Sequence, residues 1–277
     1  MMLACQEHLL PGNHLLAKWD AAVRYGFDGI ELLGAGDFAF SSRLPELNAA
    51  RRQGVVLPSV CVQMDHFIGD FDAERRRDAI ANMRSLVSVI AEIGGAGAIT
   101  PAAYGMWSDR LPPFGAPRSA ADDRAVLVEG LGELAEHAKA EGVQVWLEPL
   151  NRYEDHMVNT LAQAVDLCDA VGDPAVAPMA DFYHLNIEEA DPPAALARHG
   201  HRVGHVHLSD SNRFEPGAGH VDFAAGLSAL EQCGYEGWMA FECRLSGQPD
   251  VVLPAAVEFV KREQSQARRS VRAGAQT

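Results

Sequence analysis

The sequence has no apolar run that reaches the roughly 18 residues needed to cross a membrane. Its first residues, MMLACQEHLLPG, lack the basic start and long apolar stretch of a secretory signal peptide. No linker rich in serine and glycine interrupts the 277 residues, a length close to that of one complete (β/α)₈ barrel. We therefore expect a single domain that neither spans a membrane nor is exported.

Cysteine is scarce, and its spacing carries no motif. The cysteines are odd in number, scattered, and free of the CxxC spacing of metal and redox sites. Disulfides persist mainly in oxidising compartments, so we expect reduced thiols and a cytoplasmic protein. The five are Cys5, Cys61, Cys168, Cys233 and Cys243.

Positive charge is also scarce. The chain has 23 Lys and Arg against 38 Asp and Glu, which gives a formal net charge of −15. Such a surface repels polyanions, and phosphate contacts normally dominate affinity for nucleic acid. We therefore expect no nucleic-acid partner. The lack of a basic phosphate cradle favours an unphosphorylated small molecule as the substrate.

The second half of the sequence contains a repeated unit. A glycine that can end a helix precedes a short strand-like run, and each run closes on a carboxylate or an imidazole. A (β/α)₈ barrel gathers its chemistry at the C-terminal ends of its strands, so four such units predict this fold with a divalent metal site. The runs are Val143–Glu148, Val176–Asp181, Val203–His207 and Trp238–Glu242, and the glycines are Gly142, Gly172, Gly200 and Gly234.

The first half supplies four more strand candidates, which alternate with amphipathic helices. Eight strands with helices between them favour a single (β/α)₈ TIM barrel, with a doubly wound open sheet as the alternative. We expect the barrel over residues 1–260 and the polar end of the last helix over 261–277. The candidates are Leu3–Gln6, Gly29–Leu33, Val55–Val62 and Ala98–Pro101, and helices are predicted over 72–93 and 122–141, after a capping box at Thr160 and after Asp191-Pro192.

The four strand-end side chains form a plausible ligand set for one divalent metal ion. Burying the charge of Glu148, Asp181 or Glu242 costs several kcal/mol unless that charge is paired or coordinated. A shared cation relieves this cost, and His207 adds a nitrogen ligand. Three oxygens and one nitrogen suit Mn²⁺ first, with Co²⁺ and Mg²⁺ as alternatives. The other explanation is that these residues are ordinary polar groups at strand ends.

Four segments resemble the xylose-isomerase-like TIM-barrel superfamily. They are EPLNRYEDHMVNT (148–160), ADFYHLNIEE (180–189), HVHLSDSNRFEPGAGHVDF (205–223) and FECRL (241–245). Within the superfamily they are most similar to the ketose 3-epimerases of the D-tagatose 3-epimerase type. The resemblance is strong over 148–245, and the first half follows it only in outline.

The resemblance implies a role for each matching residue. Glu148, Asp181, His207 and Glu242 are the implied metal ligands, and Glu148 and Glu242 are also the implied acid–base pair. Glu154, His184 and Arg213 match positions that bind the oxygens of the sugar. Relatives are often dimers or tetramers, so a homo-oligomer is expected.

Two loop residues are further candidates for substrate contact. His66 follows the third strand run, and Trp107 lies with Phe114 in the long loop after the fourth. Loops at this end of the strands build the pocket of a barrel, so these side chains are expected to face the sugar.

The expected reaction is proton abstraction next to the carbonyl of a sugar. A base must remove the proton while the developing enolate oxygen is stabilised. Return of a proton to the opposite face gives an epimer, and return to the neighbouring carbon gives an aldose–ketose isomer. We therefore predict an isomerase of carbohydrate metabolism, with ketose 3-epimerisation first.

Other functions stay open. The segment Cys5–Gly12 lacks the aromatic side chains typical of ketohexose 3-epimerases, which leaves the sugar undetermined. An isomerase for hydroxypyruvate or inosose and a dehydratase for keto-polyols fit the same site. An abasic-site endonuclease and a non-catalytic sugar-binding subunit are the more distant alternatives.

Overall fold

The structure is a computed structural model that describes residues 1–108, 112 and 115–274. Eight parallel strands follow one another in chain order, β1 to β8, around a closed barrel. This confirms the predicted (β/α)₈ barrel and excludes the open doubly wound sheet. The strands are β1 Met2–Gln6, β2 Gly29–Ala35, β3 Ser59–Gln63, β4 Gly97–Pro101, β5 Gln144–Glu148, β6 Val176–Asp181, β7 His205–Leu208 and β8 Trp238–Phe241.

Helices connect the strands in the described part of the chain. They are α1 Leu15–Tyr25, α2 Leu44–Arg52, α3 Ala73–Glu92, α4 Ala120–Glu141, α5 Leu161–Val171, α6 Phe182–Glu188, α7 Pro192–His199, α8 Phe223–Gln232 and α9 Pro249–Gly274, with short 3₁₀ turns at Ala39–Arg43 and Gly200–Arg202. Helix α9 passes residue 260 without a break, and residues 275–277 lie outside the described part. Among the described residues, no helix is long and apolar enough to cross a membrane.

The expected start of the third strand was wrong. The third strand begins at Ser59 rather than at Val55. Pro58 explains this, because it has no N–H to donate to a neighbouring strand. Gly200 is the C-cap of α7, as expected for a glycine that ends a helix; its φ is −59° and it opens a 3₁₀ turn.

The chain divides into two compact units. The terminal unit contains Met1–Ile30 and Ala180–Thr277, and the central unit contains Glu31–Met179. In the terminal unit, β8 pairs with both β1 and β7; Cys5 lies opposite Phe241, and His207 lies opposite Ala240. This pairing sets the register of the strand ends that carry the candidate site.

The central unit pairs β2 through β6 in sequence. Its core cluster consists of buried side chains, Cys61, Ile99, Trp146, Ala177 and Met179. Gly97 lets this cluster close, because a Cβ there would lie 2.5 Å from the Gln144 carbonyl oxygen and 2.9 Å from the Trp146 ring. Strand β5, which ends in Glu148, is therefore held tightly against β4.

Side chains define the helix starts as the sequence predicted. Thr160 and Gln163 form both halves of a capping box at α5. Asp191 caps α7, which has proline in its first turn. Asp72 accepts hydrogen bonds from the first amides of α3. These caps satisfy amides that have no partner inside the helix, and they fix the lengths of the loops before each helix.

Candidate metal and sugar site

Three predicted metal ligands meet in the terminal unit. Asp181 ends β6, His207 lies in β7, and Glu242 directly follows β8. Each offers a ligand atom, and these atoms lie within 4.8 Å of one another. His207 Nδ1 is 3.1 Å from Glu242 Oε2. Two carboxylates and an imidazole at such distances, with Asp181 and His207 almost fully buried, suit a hard divalent cation.

Arg213 lies across two of these residues. Its Nη1 donates to Asp181 Oδ2 at 2.7 Å, and its Nη2 donates to Glu242 Oε2 at 2.5 Å. Nη1 also lies 3.2 Å from Ser209 Oγ, and the guanidinium carbon is 4.7 Å from the centre of the Tyr183 ring. The planar fork of arginine matches paired acceptors of this kind, so Arg213 fixes the spacing of the two carboxylates.

The backbone around Arg213 is strained. Its φ is +62°, a left-handed conformation that few residues other than glycine adopt. Its N–H donates to the Asp210 carbonyl, and its own carbonyl accepts from the Arg244 N–H at 2.7 Å. Asp210 in turn accepts the amides of Ser211, Gly217 and Val221. The loop is thus folded around one carboxylate, which holds the guanidinium in place despite the strain.

Asp181 and Glu242 are each oriented by further hydrogen bonds. Asp181 Oδ1 accepts the amides of Tyr183 at 2.6 Å and His184 at 3.4 Å, which makes this side chain the N-cap of α6. Glu242 Oε1 accepts from Gln6 Nε2 at 3.3 Å. One oxygen of each carboxylate is therefore bound to the protein frame, and the other faces Arg213.

The charge of Glu242 is set by its neighbours. Burial by itself would raise the pKa of Glu242, but the positive charge of Arg213, and then that of His207, outweighs burial and holds the pKa well below its ordinary value. Glu242 is accordingly a carboxylate at neutral pH. An ionised carboxylate is the form that can ligate a cation or accept a proton.

Two more histidines lie beside the cluster. His184 is buried, and its Nε2 is 3.8 Å from Asp181 Oδ2. The buried ring of His205 packs edge-on against His207, with ring centres 5.3 Å apart. His184 thus lies next to Asp181, and its role in binding a sugar oxygen stays a prediction.

Two predicted site residues belong to the central unit. Glu148 is the buried last residue of β5. Glu154 lies in the turn that follows, where its N–H donates to the Asn151 carbonyl at 2.9 Å and its carbonyl accepts from the Gly105 N–H at 2.8 Å. This bond joins the loop after β5 to the loop after β4. The predicted roles of both glutamates stay predictions.

The remaining loop candidates have other close partners. His66 Nδ1 is 2.7 Å from Asp78 Oδ2 on α3. The ring of Trp107 packs edge-on against His156, which stacks in turn on Phe71. Phe114 lies outside the described residues. The substrate roles of His66 and Trp107 stay predictions.

Comparison with known proteins gives the family. The sequence model of the xylose isomerase-like TIM barrel matches residues 19–263. The chain belongs to this family.

The protein 3-dehydro-D-guloside 4-epimerase from Escherichia coli (strain K12) is 36% identical to this chain over 249 residues. The match covers 90% of this chain and 94% of that protein. The apo crystal structure of 3-keto-D-glucoside 4-epimerase from E. coli superposes with a TM-score of 0.90 at 34% identity, and the match covers 95% of this chain and 99% of that chain. D-psicose 3-epimerase from Enterocloster bolteae is 39% identical over 120 residues, or 43% of this chain and 40% of that protein. These relatives are sugar epimerases, and the chain is an enzyme of the isomerase class.

The structure adds three side chains that the sequence did not single out for the site. Gln6 contacts Glu242, while Ser209 and Tyr183 contact Arg213. Gln6 ends β1, so its position at a strand end was a usable signal. Ser209 follows β7 and Tyr183 lies in the first turn of α6, and no sequence pattern marks either of them as a site residue.

Proposed function

We propose that this protein is a divalent-metal-dependent sugar epimerase whose substrate is a 3-keto-glycoside, in which it inverts C4. The observation that carries the proposal is the convergence of Asp181, His207 and Glu242 within 4.8 Å. The choice of substrate is supported by the 4-epimerase relative that aligns over 90% of this chain. Inversion of C3 in a free ketose, the first expectation from the sequence, is the alternative, supported by the shorter match to D-psicose 3-epimerase.

Both substrates pose the same chemical problem. The hydrogen to be moved is on a carbon that bears a hydroxyl and lies next to a ketone. When the C4–H bond breaks, its electron pair passes into the C3 ketone, and when a proton returns to the other face the ketone is restored. A divalent ion, when bound, supplies the positive charge that stabilises the developing negative charge on the ketone oxygen.

Glu242 is proposed as the acid–base group for one face of the sugar. Its Oε2 is held by Arg213 and its Oε1 by Gln6, so the carboxylate is fixed before substrate arrives. A group that is already aligned before the reaction lowers the free energy needed to reach the transition state. Glu148 is still the residue predicted to act as the acid–base group on the opposite face and as the fourth metal ligand.

We propose that Arg213, His184 and Glu154 bind the sugar. Arg213 has five N–H donors, and its hydrogen bonds to Asp181 and Glu242 use both terminal nitrogens. His184 is held beside Asp181. These groups match the hydroxyl and carbonyl oxygens of a sugar. Mn²⁺ is the proposed ion, and a homo-oligomer in the cytoplasm stays a prediction.

Hydrogen exchange in D₂O tests the proposal directly. The Mn²⁺-loaded protein is incubated with a methyl 3-keto-glucoside and, separately, with free ketoses, and the products are followed by NMR. We expect deuterium at C4 of the glycoside as the second epimer forms. Deuterium at C3 of a ketose without reaction of the glycoside would select the alternative.

Two variants make the exchange test specific. Glu242→Gln removes the proton acceptor with little change in volume, and we expect the exchange rate to fall by about 10² to 10⁴. Glu231→Gln, a change of the same type at a partly buried glutamate of the terminal unit that pairs with Arg268, is expected to leave the exchange rate unchanged. Absence of exchange at any carbon next to a carbonyl, despite demonstrated metal binding, would refute epimerisation.

A further inference from the structure

Two exposed aromatic rings lie on neighbouring loops of the central unit. Tyr104 follows β4 and is 55% exposed, and Tyr153 follows β5 and is 59% exposed. Tyrosine usually buries much of its ring, so two large exposed rings at the strand ends that carry a barrel's chemistry call for a functional explanation.

Hydrogen bonds bring these two loops together. The Gly105 N–H donates to the Glu154 carbonyl at 2.8 Å, so each tyrosine precedes one end of the same bond. Ser108 Oγ donates to the Arg152 carbonyl at 2.7 Å and forms a second link. Because one link is next to both tyrosines and the other is within four residues of each, Tyr104 and Tyr153 belong to one surface, here called the tyrosine surface.

Ordered neighbours hold the tyrosine surface in place. The Tyr104 ring meets the buried Phe67 edge-on, with ring centres 6.2 Å apart. The turn that carries Tyr153 is closed by Asn151, whose Oδ1 accepts the Tyr153 N–H at 3.0 Å. The two rings are thus mounted on ordered backbone, and less conformational entropy is lost when a ligand binds them.

The tyrosine surface also adjoins proposed site residues along the chain. Glu154 directly follows Tyr153, and Glu148 ends the strand from which this loop departs. The tyrosines are therefore candidates to contact a second ring of a substrate that these glutamates hold.

We propose that Tyr104 and Tyr153 bind the aglycone of the substrate by stacking, and that this aglycone is itself a sugar ring. The proposal rests on the proposed function, in which the substrate is a glycoside. The C–H groups on the face of a pyranose are apolar and fit against an aromatic ring, while its hydroxyls stay in water. The area favours a small ligand over a protein partner: two half-exposed tyrosines offer on the order of 200 Å², whereas a stable protein interface buries about 800 Å² on each partner.

The test compares two substrates of different length. Wild-type protein and the variants Tyr104→Ala and Tyr153→Ala are assayed with a methyl 3-keto-glucoside and with a disaccharide oxidised at C3 of its non-reducing ring. For the disaccharide we expect each variant to raise KM by about three- to tenfold with kcat retained, since the ring contributes equally to ground-state and transition-state binding. The constants for the methyl glycoside are expected to be unchanged.

Matched variants separate stacking from other roles. Tyr104→Phe and Tyr153→Phe keep the rings, so we expect wild-type values with both substrates. Equal KM changes for both substrates, or none for either, would overturn the proposal while the epimerase function stands. A wild-type protein that epimerises free ketoses but neither glycoside would overturn the proposed substrate and this inference together. Loss of self-association in the alanine variants, with no change in substrate preference, would show that a second copy covers the tyrosines.

Discussion

Asp155 is a carboxyl group enclosed in the central unit. Its Oδ1 accepts the Met157 N–H at 2.9 Å and lies 3.8 Å from His156 Nδ1. Burial raises the pKa of Asp155 to about 7, despite backbone hydrogen bonds that act in the opposite direction. The folded protein therefore holds a proton here that the unfolded chain, with a pKa near 3.8, releases at much lower pH.

This shift predicts a loss of stability as pH rises. A carboxyl whose pKa is higher in the folded than in the unfolded protein stabilises the fold less as the pH rises from about 4 to about 7. Above about pH 7 its contribution to the free energy of unfolding no longer changes. Between pH 5.5 and pH 8.5 we expect Asp155 to lower the free energy of unfolding by about 2 kcal/mol. Asp155→Asn keeps the acceptor for Met157 and is expected to remove this part of the pH dependence. Urea unfolding at both pH values measures it, and an equal drop in both proteins would contradict the assignment.

At the scale of single residues, the sequence predicted the site residues that a local pattern marks. Asp181, His207 and Glu242 each close a strand-like run, and the structure brings them together. Gln6 was not predicted as their neighbour, because its contact with Glu242 joins residues 236 positions apart and depends on the barrel register. His66 and Trp107 were predicted only from their loops, and loop sequence does not determine which way a side chain turns.

The start of α5 shows how a short motif fixes an element. Thr160 Oγ1 accepts the Gln163 N–H at 3.3 Å, and Gln163 Oε1 accepts the Thr160 N–H at 3.0 Å. The cap ends the loop after β5, the same loop that carries Glu154. The motif therefore sets where that loop stops.

Removal of this cap is expected to cost stability without affecting chemistry. Thr160→Ala takes away the hydroxyl acceptor, and we expect the free energy of unfolding to fall by about 1 kcal/mol. Thr160→Ser keeps the hydroxyl and serves as the control, with a value near wild type. Denaturant unfolding of the three proteins is the measurement, and a fully stable Thr160→Ala would show that the box contributes nothing.

At the scale of elements, sequence patterns located the strands and helices but not every boundary. The caps at Thr160 and Asp191 were correct because capping is a local interaction. The start of β3 was wrong, because Pro58 interrupts an apolar pattern that otherwise continues. Helix α9 carries on through the polar 261–274 segment, since surface positions of a helix need no apolar residues.

Over the whole molecule, metal binding is expected to stabilise the fold. The cluster of Asp181, His207 and Glu242 exists only when β6, β7 and β8 are in place, so an ion that binds it favours the folded state. At a free Mn²⁺ concentration of about 100 times Kd, we expect a gain of roughly 2.7 kcal/mol. For a chain of this length this corresponds to a rise in Tm of about 5–10 °C.

Thermal melts with Mn²⁺ and with a chelator measure this gain. Asp181→Asn removes a charged ligand, so its melting temperature is expected to respond much less to Mn²⁺ than that of the wild type. A wild-type Tm that does not change at any Mn²⁺ concentration would exclude a metal site in the folded protein.

The barrel itself was predictable because its repeated unit is written four times in the second half of the sequence. The substrate was not predictable, because the groups proposed to meet the distal part of a sugar lie on loops without a sequence pattern. Tyr104 and Tyr153 illustrate this: their adjacency comes from one backbone hydrogen bond between Gly105 and Glu154. The fold and the proposed metal ligands therefore follow from the strands, whereas the adjacency of these two loops does not follow from any sequence pattern.

Asp181 binds backbone amides with one oxygen and Arg213 with the other. Asparagine at this position would retain the helix cap and lose the negative charge, whereas glutamate would retain the charge and place it too far out to cap. Both substitutions need only one nucleotide change, and each abandons one of two duties. A change at position 181 therefore loses either the cap of α6 or the charge that faces Arg213, and neither substitution is expected to be neutral.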